Sequence, residues 1–322
     1  MSEFSVIEQY CTALGASHTE TDLGVGDDAA VVTVPPAMRL AVSVDSMVEG
    51  VHFYPHTKPA DLAWKLLTVN LSDMAAMGAV PKWATVTLTM PNEDHTWLAD
   101  FSTELGRAAA EAGVQIIGGD TTRGPLNLSL TIMGLLPKDE VISRSGAMVG
   151  DDLYVSGTLG DAALALAAIE QRVALSAEHQ CAVETQLHRP QAQLALGQAL
   201  LRLASAGLDI SDGLLGDLTH IAKASKVSFE IDSEAVPVSP VYEAYLDAGG
   251  DLSFALAGGD DYQLAFTAPT QHRSVIDSLA TDLSVAVTRI GRVVPVAPTP
   301  VLVLQNGKPA PELNLSSFQH FE

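Results

Sequence analysis

Positive charge is what this chain has least of. Seventeen Lys and Arg stand against thirty-nine Asp and Glu in 322 residues, a formal net of −22. A surface with that balance repels phosphate backbones, so neither nucleic-acid binding nor attachment to an anionic membrane is expected. Cysteine is almost absent. Cys11 and Cys181 are far apart in sequence, which suits a reducing compartment and a fold that does without disulfides. No apolar run approaches the length of a membrane span. The opening MSEFSVIEQYCTALG has neither the basic start nor the continuous apolar stretch of a secretory signal. A soluble cytoplasmic protein is therefore expected. Also missing are a Cys/His cluster with zinc spacing, an EF-hand loop, and a Walker A or kinase glycine-rich loop.

Apolar residues, in contrast, make up 47% of the chain, enough for a large core. The length suggests two domains, and the pattern places a boundary near residue 137, giving segments 1–137 and 138–322. In the first, MRLAVSVDS, WATVTLTM, VQII and LNLSLTIMGLL read as strands, with VQII ending at GGD. Residues 59–78 and 96–112 read as helices, the first opened by Pro59 and closed by Gly78. In the second, DDLYVSGTLGDAALALAAIE reads as strand, glycine turn and helix, and RPQAQLALGQALLRLAS as a helix. SDGLLGDLTHIAKAS reads as a helix with Leu214, Leu215, Leu218, Ile221 and Ala222 on one stripe. DYQLAFT and RIGRVV read as strands. The fold class is α+β, two domains that each mix strands and helices.

Acids recur where these apolar elements end. GVGDD carries Asp27 and Asp28; SVDS carries Ser43, Asp45 and Ser46; VNLSDMAAMG carries Asn70, Ser72 and Asp73. IIGGDTTRG carries Asp120 and Arg123, and LDISDG carries Asp209, Ser211 and Asp212. Ser211 or Asp212 could simply cap the following helix, a contribution of about 1 kcal/mol. GDD and GGD are also ordinary turn chemistry. Asp73 resists such a reading. Its flanks carry almost no charge, Asn70 shares its helical face, and Lys65 is too far along the helix to pair locally. A carboxylate in that setting is costly unless paired or metal-bound. The set as a whole points to divalent cations held by oxygen ligands, Mg²⁺, Mn²⁺ or Ca²⁺ rather than zinc. Beside glycine turns that expose backbone N–H groups, such cations would let an acidic protein bind a phosphate-rich ligand.

GVGDDAAVV, VDSMVEGVHF, VNLSDMAAMGA, GGDTTRG, SRSGA, VSGTLGD, DISDGL and AGGDDYQL, in this order and spacing, closely resemble the thiamine-monophosphate kinase family of the aminoimidazole ribonucleotide synthetase superfamily. The resemblance covers nearly the whole chain. It implies two domains of that superfamily's type, an N-terminal ATP/metal-binding and dimerisation domain and a C-terminal domain completing the active site. The homodimer would pair its N-terminal domains in a barrel. It implies transfer of phosphate from ATP to thiamine monophosphate with the help of several Mg²⁺ ions. By motif match, Asp28, Ser43, Val44, Asp45, Asp73, Asp120, Asp209 and Asp212 fall on metal positions, with Asp45, Asp120 and Asp212 acting in catalysis through metal. Gly119, Asp120, Arg144 and Ser211 fall on ATP positions, and His52, Asp260 and Phe318 on substrate positions. Four residues depart from the family pattern. Val44 replaces a common Thr, so only its backbone carbonyl could be a ligand. Asp260 and Gln263 replace glutamates, and Ala112 stands where many members carry Tyr.

Overall fold

The structure is a computed structural model, and it describes residues 10, 12–313, 315 and 317. Two compact units divide the chain: Met1–Met74 with Ala79–Asp139, and Ala75–Gly78 with Glu140–Glu322.

The N-terminal unit holds a two-stranded ribbon, β1 (Thr21–Leu23) and β2 (Val31–Val32), and a four-stranded sheet. The strands of the sheet are β3 (Met38–Val48), β4 (Val80–Met90), β5 (Gln115–Arg123) and β6 (Asn127–Pro137), in the order β3-β6-β4-β5. Only β4 and β5 run parallel. Among the described residues this region carries the helices α1 (Pro59–Met77) and α2 (His95–Glu111). Helix α2 buries Leu98, Phe101, Leu105, Ala108 and Ala109, an i, i+3, i+7, i+10, i+11 stripe. Asp94 starts it by accepting from Thr96 N and Trp97 N, both at 3.0 Å. The sequence expectation that VQII ends at GGD is corrected here. Strand β5 continues to Arg123, because its pairing with β4 carries on past an irregularity at Ala84/Thr85.

The C-terminal unit has a seven-stranded sheet in the order β13-β12-β9-β11-β7-β10-β8. Its strands are β7 (Asp152–Ser156), β8 (Ala206–Asp209), β9 (Ser228–Asp232), β10 (Leu264–Ala268), β11 (Val287–Val294), β12 (Val301–Gln305) and β13 (Lys308–Pro309). Its helices are α3 (Asp161–Ile169), α4 (Ala177–His188), α5 (Leu194–Ala199), α6 (Leu214–Ser225), α7 (Pro240–Asp247), α8 (Ser253–Ala257) and α9 (Arg273–Leu283). The stripe read on α6 is buried at all five positions, in one cluster with Phe229, Tyr242 and Ile290. The long helix expected over 189–205 is corrected to the six residues of α5. Leu196 and Leu200 sink into a cluster with Tyr154, Phe266 and Ile276. Arg202, at φ 67°, then takes a left-handed conformation that ends any helix.

Asp152, at the start of β7, is buried, and Arg273 grips it through Nε at 2.6 Å and Nη2 at 2.8 Å, with Arg289 Nη1 at 3.3 Å. The Arg273 hydrogen bond holds this carboxyl below its ordinary 3.8. A depressed folded pKa contributes stability that is complete above the unfolded value and lost as pH falls through the folded one. Asp152→Asn is therefore expected to lower the unfolding free energy by about 1–3 kcal/mol at pH 7. In urea titrations from pH 7 down to pH 2, the gap between parent and variant should close below about pH 4. A gap that stays constant down to pH 2 would show that packing, not charge, holds the strand end.

Candidate functional site

In the N-terminal unit, β3 and α1 bring together the acids read from SVDS and VNLSD. Ser43 Oγ donates to Asp73 Oδ2 at 2.5 Å, and the Asp45 N–H donates to Asn70 Oδ1 at 3.2 Å. Asn70 is fully buried and its Nδ2 donates to Leu66 O at 2.9 Å. The i, i+3 spacing of Asn70 and Asp73 thus presents one amide and one carboxylate to alternate residues of β3. Asp45 shares its cross-strand row with buried Leu130 and Val86, and Met47, two residues on, is buried as well. Val44 lies on the opposite face and is 60% exposed, in a strip with Leu40 and Val42. His52 closes a tight loop, its Nδ1 accepting from Val48 N at 3.0 Å, so the neutral ring carries its proton on Nε2.

Beside the parallel pair β4–β5 is a pocket of about 520 Å³. Its walls include Leu98, Phe101, Leu105 and Ile116, and its polar lining includes Asp28, Gly119 and Asp120. Asp28 and Asp120 are both exposed. Gly119 is fixed by geometry: at φ 158° its missing Cβ would stand 1.9 Å from the Val86 carbonyl oxygen. Only glycine lets the strand pass so close there.

In the C-terminal unit, LDISDG forms the end of β8 and the turn into α6. Asp209 is buried at the strand end. Neither Ser211 nor Asp212 caps the helix. The N-cap is Gly213, with φ 119° and no side-chain cap bond. Asp217, a full turn inside α6, does that work from behind. Its Oδ2 accepts from Ser211 N and Asp212 N at 3.0 Å and from Gly213 N at 3.1 Å. Burial pushes its pKa up to about 6, against the pull of those three donors. The Ser211 and Asp212 side chains are thus held on a turn whose backbone is already satisfied.

AGGDDYQL folds onto the same turn. Asp260 N donates to Ser211 O at 2.9 Å and Tyr262 N to Ile210 O at 2.8 Å. Asp260 (φ 71°) and Tyr262 (φ 51°) are both left-handed, and Tyr262 Oη donates to Asp260 Oδ1 at 2.8 Å. Asp261, between them, is buried. Its Oδ1 accepts from Gly160 N at 2.9 Å, while no protein group reaches Oδ2. Burial first, then the nearby carboxylates Asp161 and Asp260, drive its pKa well above the ordinary value. Through the Gly160 N–H it ties this turn to the start of α3. Gln263 Oε1 accepts from Ser156 Oγ at 2.8 Å and from Gln193 Nε2 at 3.1 Å. Arg144 is exposed in the SRSGA loop, and Phe318 lies outside the described residues. Sequence reasoning gave Asp217 and Asp261 no role. The signal for Asp217 was present: an acid inside an apolar helical stripe, four residues after a glycine turn.

Two units, each placing carboxylates on glycine-rich turns, define the class. The profile for AIR synthase related protein, N-terminal domain, matches residues 26–136, and that for its C-terminal domain matches residues 148–298. The chain is 45% identical over 291 residues to the thiamine-monophosphate kinase of Salmonella typhimurium, covering 90% of each. The crystal structure of thiamine-monophosphate kinase from Stenotrophomonas maltophilia superposes with a TM-score of 0.84 at 40% identity, over 91% of this chain and 93% of that one. A structure of AaThiL complexed with AMPPCP and TMP gives a TM-score of 0.78 at 30% identity, over 90% of this chain and 89% of that one. The chain belongs to the thiamine-monophosphate kinase family.

Gly119→Ala should destabilise the protein by about 1–3 kcal/mol, because the new methyl meets main chain that cannot move aside cheaply. Gly118→Ala is the control, since its Cβ would meet only Thr85 Cγ2 at 3.7 Å. Equal thermal midpoints for the two variants would show that β4 yields at Val86.

Proposed function

We propose that this protein transfers the γ-phosphoryl group of ATP to thiamine monophosphate, yielding ADP and thiamine diphosphate. The observation that carries this reading is near full-length likeness to AaThiL, which was solved complexed with AMPPCP and TMP. In the reaction a phosphate oxygen of the acceptor forms a new bond to the γ-phosphorus. The bond from that phosphorus to the β–γ bridging oxygen breaks, and its electron pair leaves with ADP. The acceptor phosphate, with a second pKa near 6, is already ionised at pH 7, so no side chain has to remove a proton from it. The difficulty is repulsion: two unit charges 4 Å apart interact by about 4 kcal/mol at an effective dielectric of 20.

Mg²⁺ suits the residues available. The donor set is all oxygen, and among the described residues no group of three or more His, Cys, Asp or Glu could hold an ion by itself. Mg²⁺ commonly takes one or two carboxylates and completes its shell with water and substrate phosphates. Asp28, Ser43, Asp45, Asp73 and Asp120 of the N-terminal unit, with the Val44 carbonyl, and Asp209 and Asp212 of the C-terminal unit would hold such ions. When bound, Mg²⁺ supplies the positive charge that offsets phosphate repulsion. The chain's own part is placement. The Asn70 and Ser43 hydrogen bonds fix β3 and Asp73, and Asp217 fixes Ser211 and Asp212. The pocket beside Gly119 offers apolar walls for a nucleotide base next to backbone N–H groups suited to phosphate. Arg144 and Ser211 complete the ATP contacts. His52, Asp260 and Phe318 take the acceptor, whose cationic thiazolium suits a carboxylate and an aromatic face.

The exposed strip Leu40, Val42 and Val44 lies on the edge strand β3, and an apolar sheet edge of this kind is usually covered. It supports a homodimer paired through the N-terminal units, residues 1–137. Among the described residues no helix is long and apolar enough to cross a membrane.

Purified protein should form thiamine diphosphate and ADP from thiamine monophosphate and ATP, and should lose the activity on chelation of Mg²⁺. Asp73→Asn, Asp120→Asn and Asp212→Asn should each cut turnover by on the order of 10²-fold with the fold intact. Phe318→Ala should raise KM for the acceptor about tenfold and spare kcat. Release of inorganic phosphate without thiamine diphosphate would sink the reading.

A further inference from the structure

Ser225, the last residue of α6, is 81 positions from the SRSGA loop in sequence, yet one hydroxyl makes three hydrogen bonds to that loop. Its Oγ accepts from Gly146 N at 3.0 Å and from Ala147 N at 3.1 Å, and it donates to Arg144 O at 3.0 Å. A serine hydroxyl has one donor and two acceptor sites, so these bonds use it fully. The loop is pinned elsewhere as well. Gly207 N donates to Ser143 O at 3.0 Å, and Ser143 Oγ to Ser145 O at 2.7 Å. At Gly146, φ 128°, a Cβ would stand 2.3 Å from Ser205 O. The main chain on both sides of Arg144 is therefore fixed, while the Arg144 side chain is exposed.

We propose that Ser225 is a positioning residue for the nucleotide, acting through Arg144. The proposal rests on the reading of Arg144 as an ATP contact. A long, flexible guanidinium binds phosphate well only when its stem starts from a fixed point, because each freely rotating bond lost on binding costs entropy. Ser225 supplies that fixed point from the end of the same helix whose beginning carries the Ser211–Asp212 turn. One rigid element thereby sets the spacing of two ATP contacts. Without the hydroxyl, Gly146 N and Arg144 O, at exposed positions, pass to water while Ala147 stays packed in the core, so the loop loosens and the fold survives.

The test is a double-mutant cycle read by the KM for ATP and by calorimetric binding of Mg·AMPPCP, which needs no acceptor. Ser225→Ala should raise both about five- to tenfold, with kcat and the KM for thiamine monophosphate changed less than twofold. Ser225→Thr, which keeps the hydroxyl, should restore most of the loss. Arg144→Ala should weaken ATP at least tenfold, and in that background Ser225→Ala should add less than twofold. If Arg144→Ala weakens ATP but Ser225→Ala does not, or if Ser225→Ala costs as much with Arg144 absent as with it present, the positioning role is wrong. If Arg144→Ala itself leaves ATP binding unchanged, Arg144 is no nucleotide contact, and that reading and the positioning role fall together. A parent enzyme that binds Mg·AMPPCP but does not phosphorylate thiamine monophosphate would overturn the acceptor assignment and leave the Ser225 test standing.

Discussion

The Asp217 carboxylate accepting three successive backbone N–H groups expresses the constraint under which this whole chain folds. With acids exceeding bases by 22, several buried or half-buried carboxylates accept from neutral donors. Asp73 takes Ser43, Asp161 takes Ser239, Asp151 takes Ser205 and the Met148 N–H, and Asp261 takes the Gly160 N–H. Each such bond contributes about 1 kcal/mol net and brings no compensating positive charge. Asp152, in contrast, is gripped by two arginines. The scarce guanidinium groups there hold a strand end together, while the acids of both candidate sites keep the field that attracts cations.

The two units build their sites by different means. In the N-terminal unit Asp45 and Asp73 sit on long elements, an eleven-residue strand and a nineteen-residue helix, so their spacing follows from regular periodicity. In the C-terminal unit they sit on turns whose backbones are held by Asp217, Asp261 and hydrogen bonds between the 210–212 and 258–262 segments. Turns positioned this way depend on a few buried partners rather than on a ladder. The loss of one partner is therefore felt directly at the side chains that would meet a ligand.

Long periodic segments were legible from sequence. The α6 stripe and the alternation of β4 each satisfy one dominant requirement, burial of an apolar face. Where several weak requirements compete, the pattern misleads. RPQAQLALGQALLRLAS has a helical composition, but packing of Leu196 and Leu200 and the left-handed turn at Arg202 override it. GGD looks like a strand stop, yet Gly119 serves a close approach inside a continuing strand. The order of the acid motifs was readable because glycine and acid together are rare within apolar context. Asp261 and Ser225 were not, since their roles depend on backbone groups that folding brings near, and no local pattern encodes a partner 81 or 101 residues away; Asp217, whose partners lie four to six residues back, did leave a local signal.

The left-handed backbone at position 260 bears on how this family can drift. Short acids such as Asp tolerate φ near +71° better than Glu does, because their side chain can bond locally and crowds the main chain less. The Asp found here therefore eases the turn while drawing the carboxylate back toward its own backbone, where Tyr262 holds it. Asp and Glu at this site are not interchangeable spellings of negative charge. They are two settlements between reach and backbone ease, and a lineage that moves from one to the other must readjust its neighbours, Tyr262 and the residue at 263 among them, before the exchange is neutral.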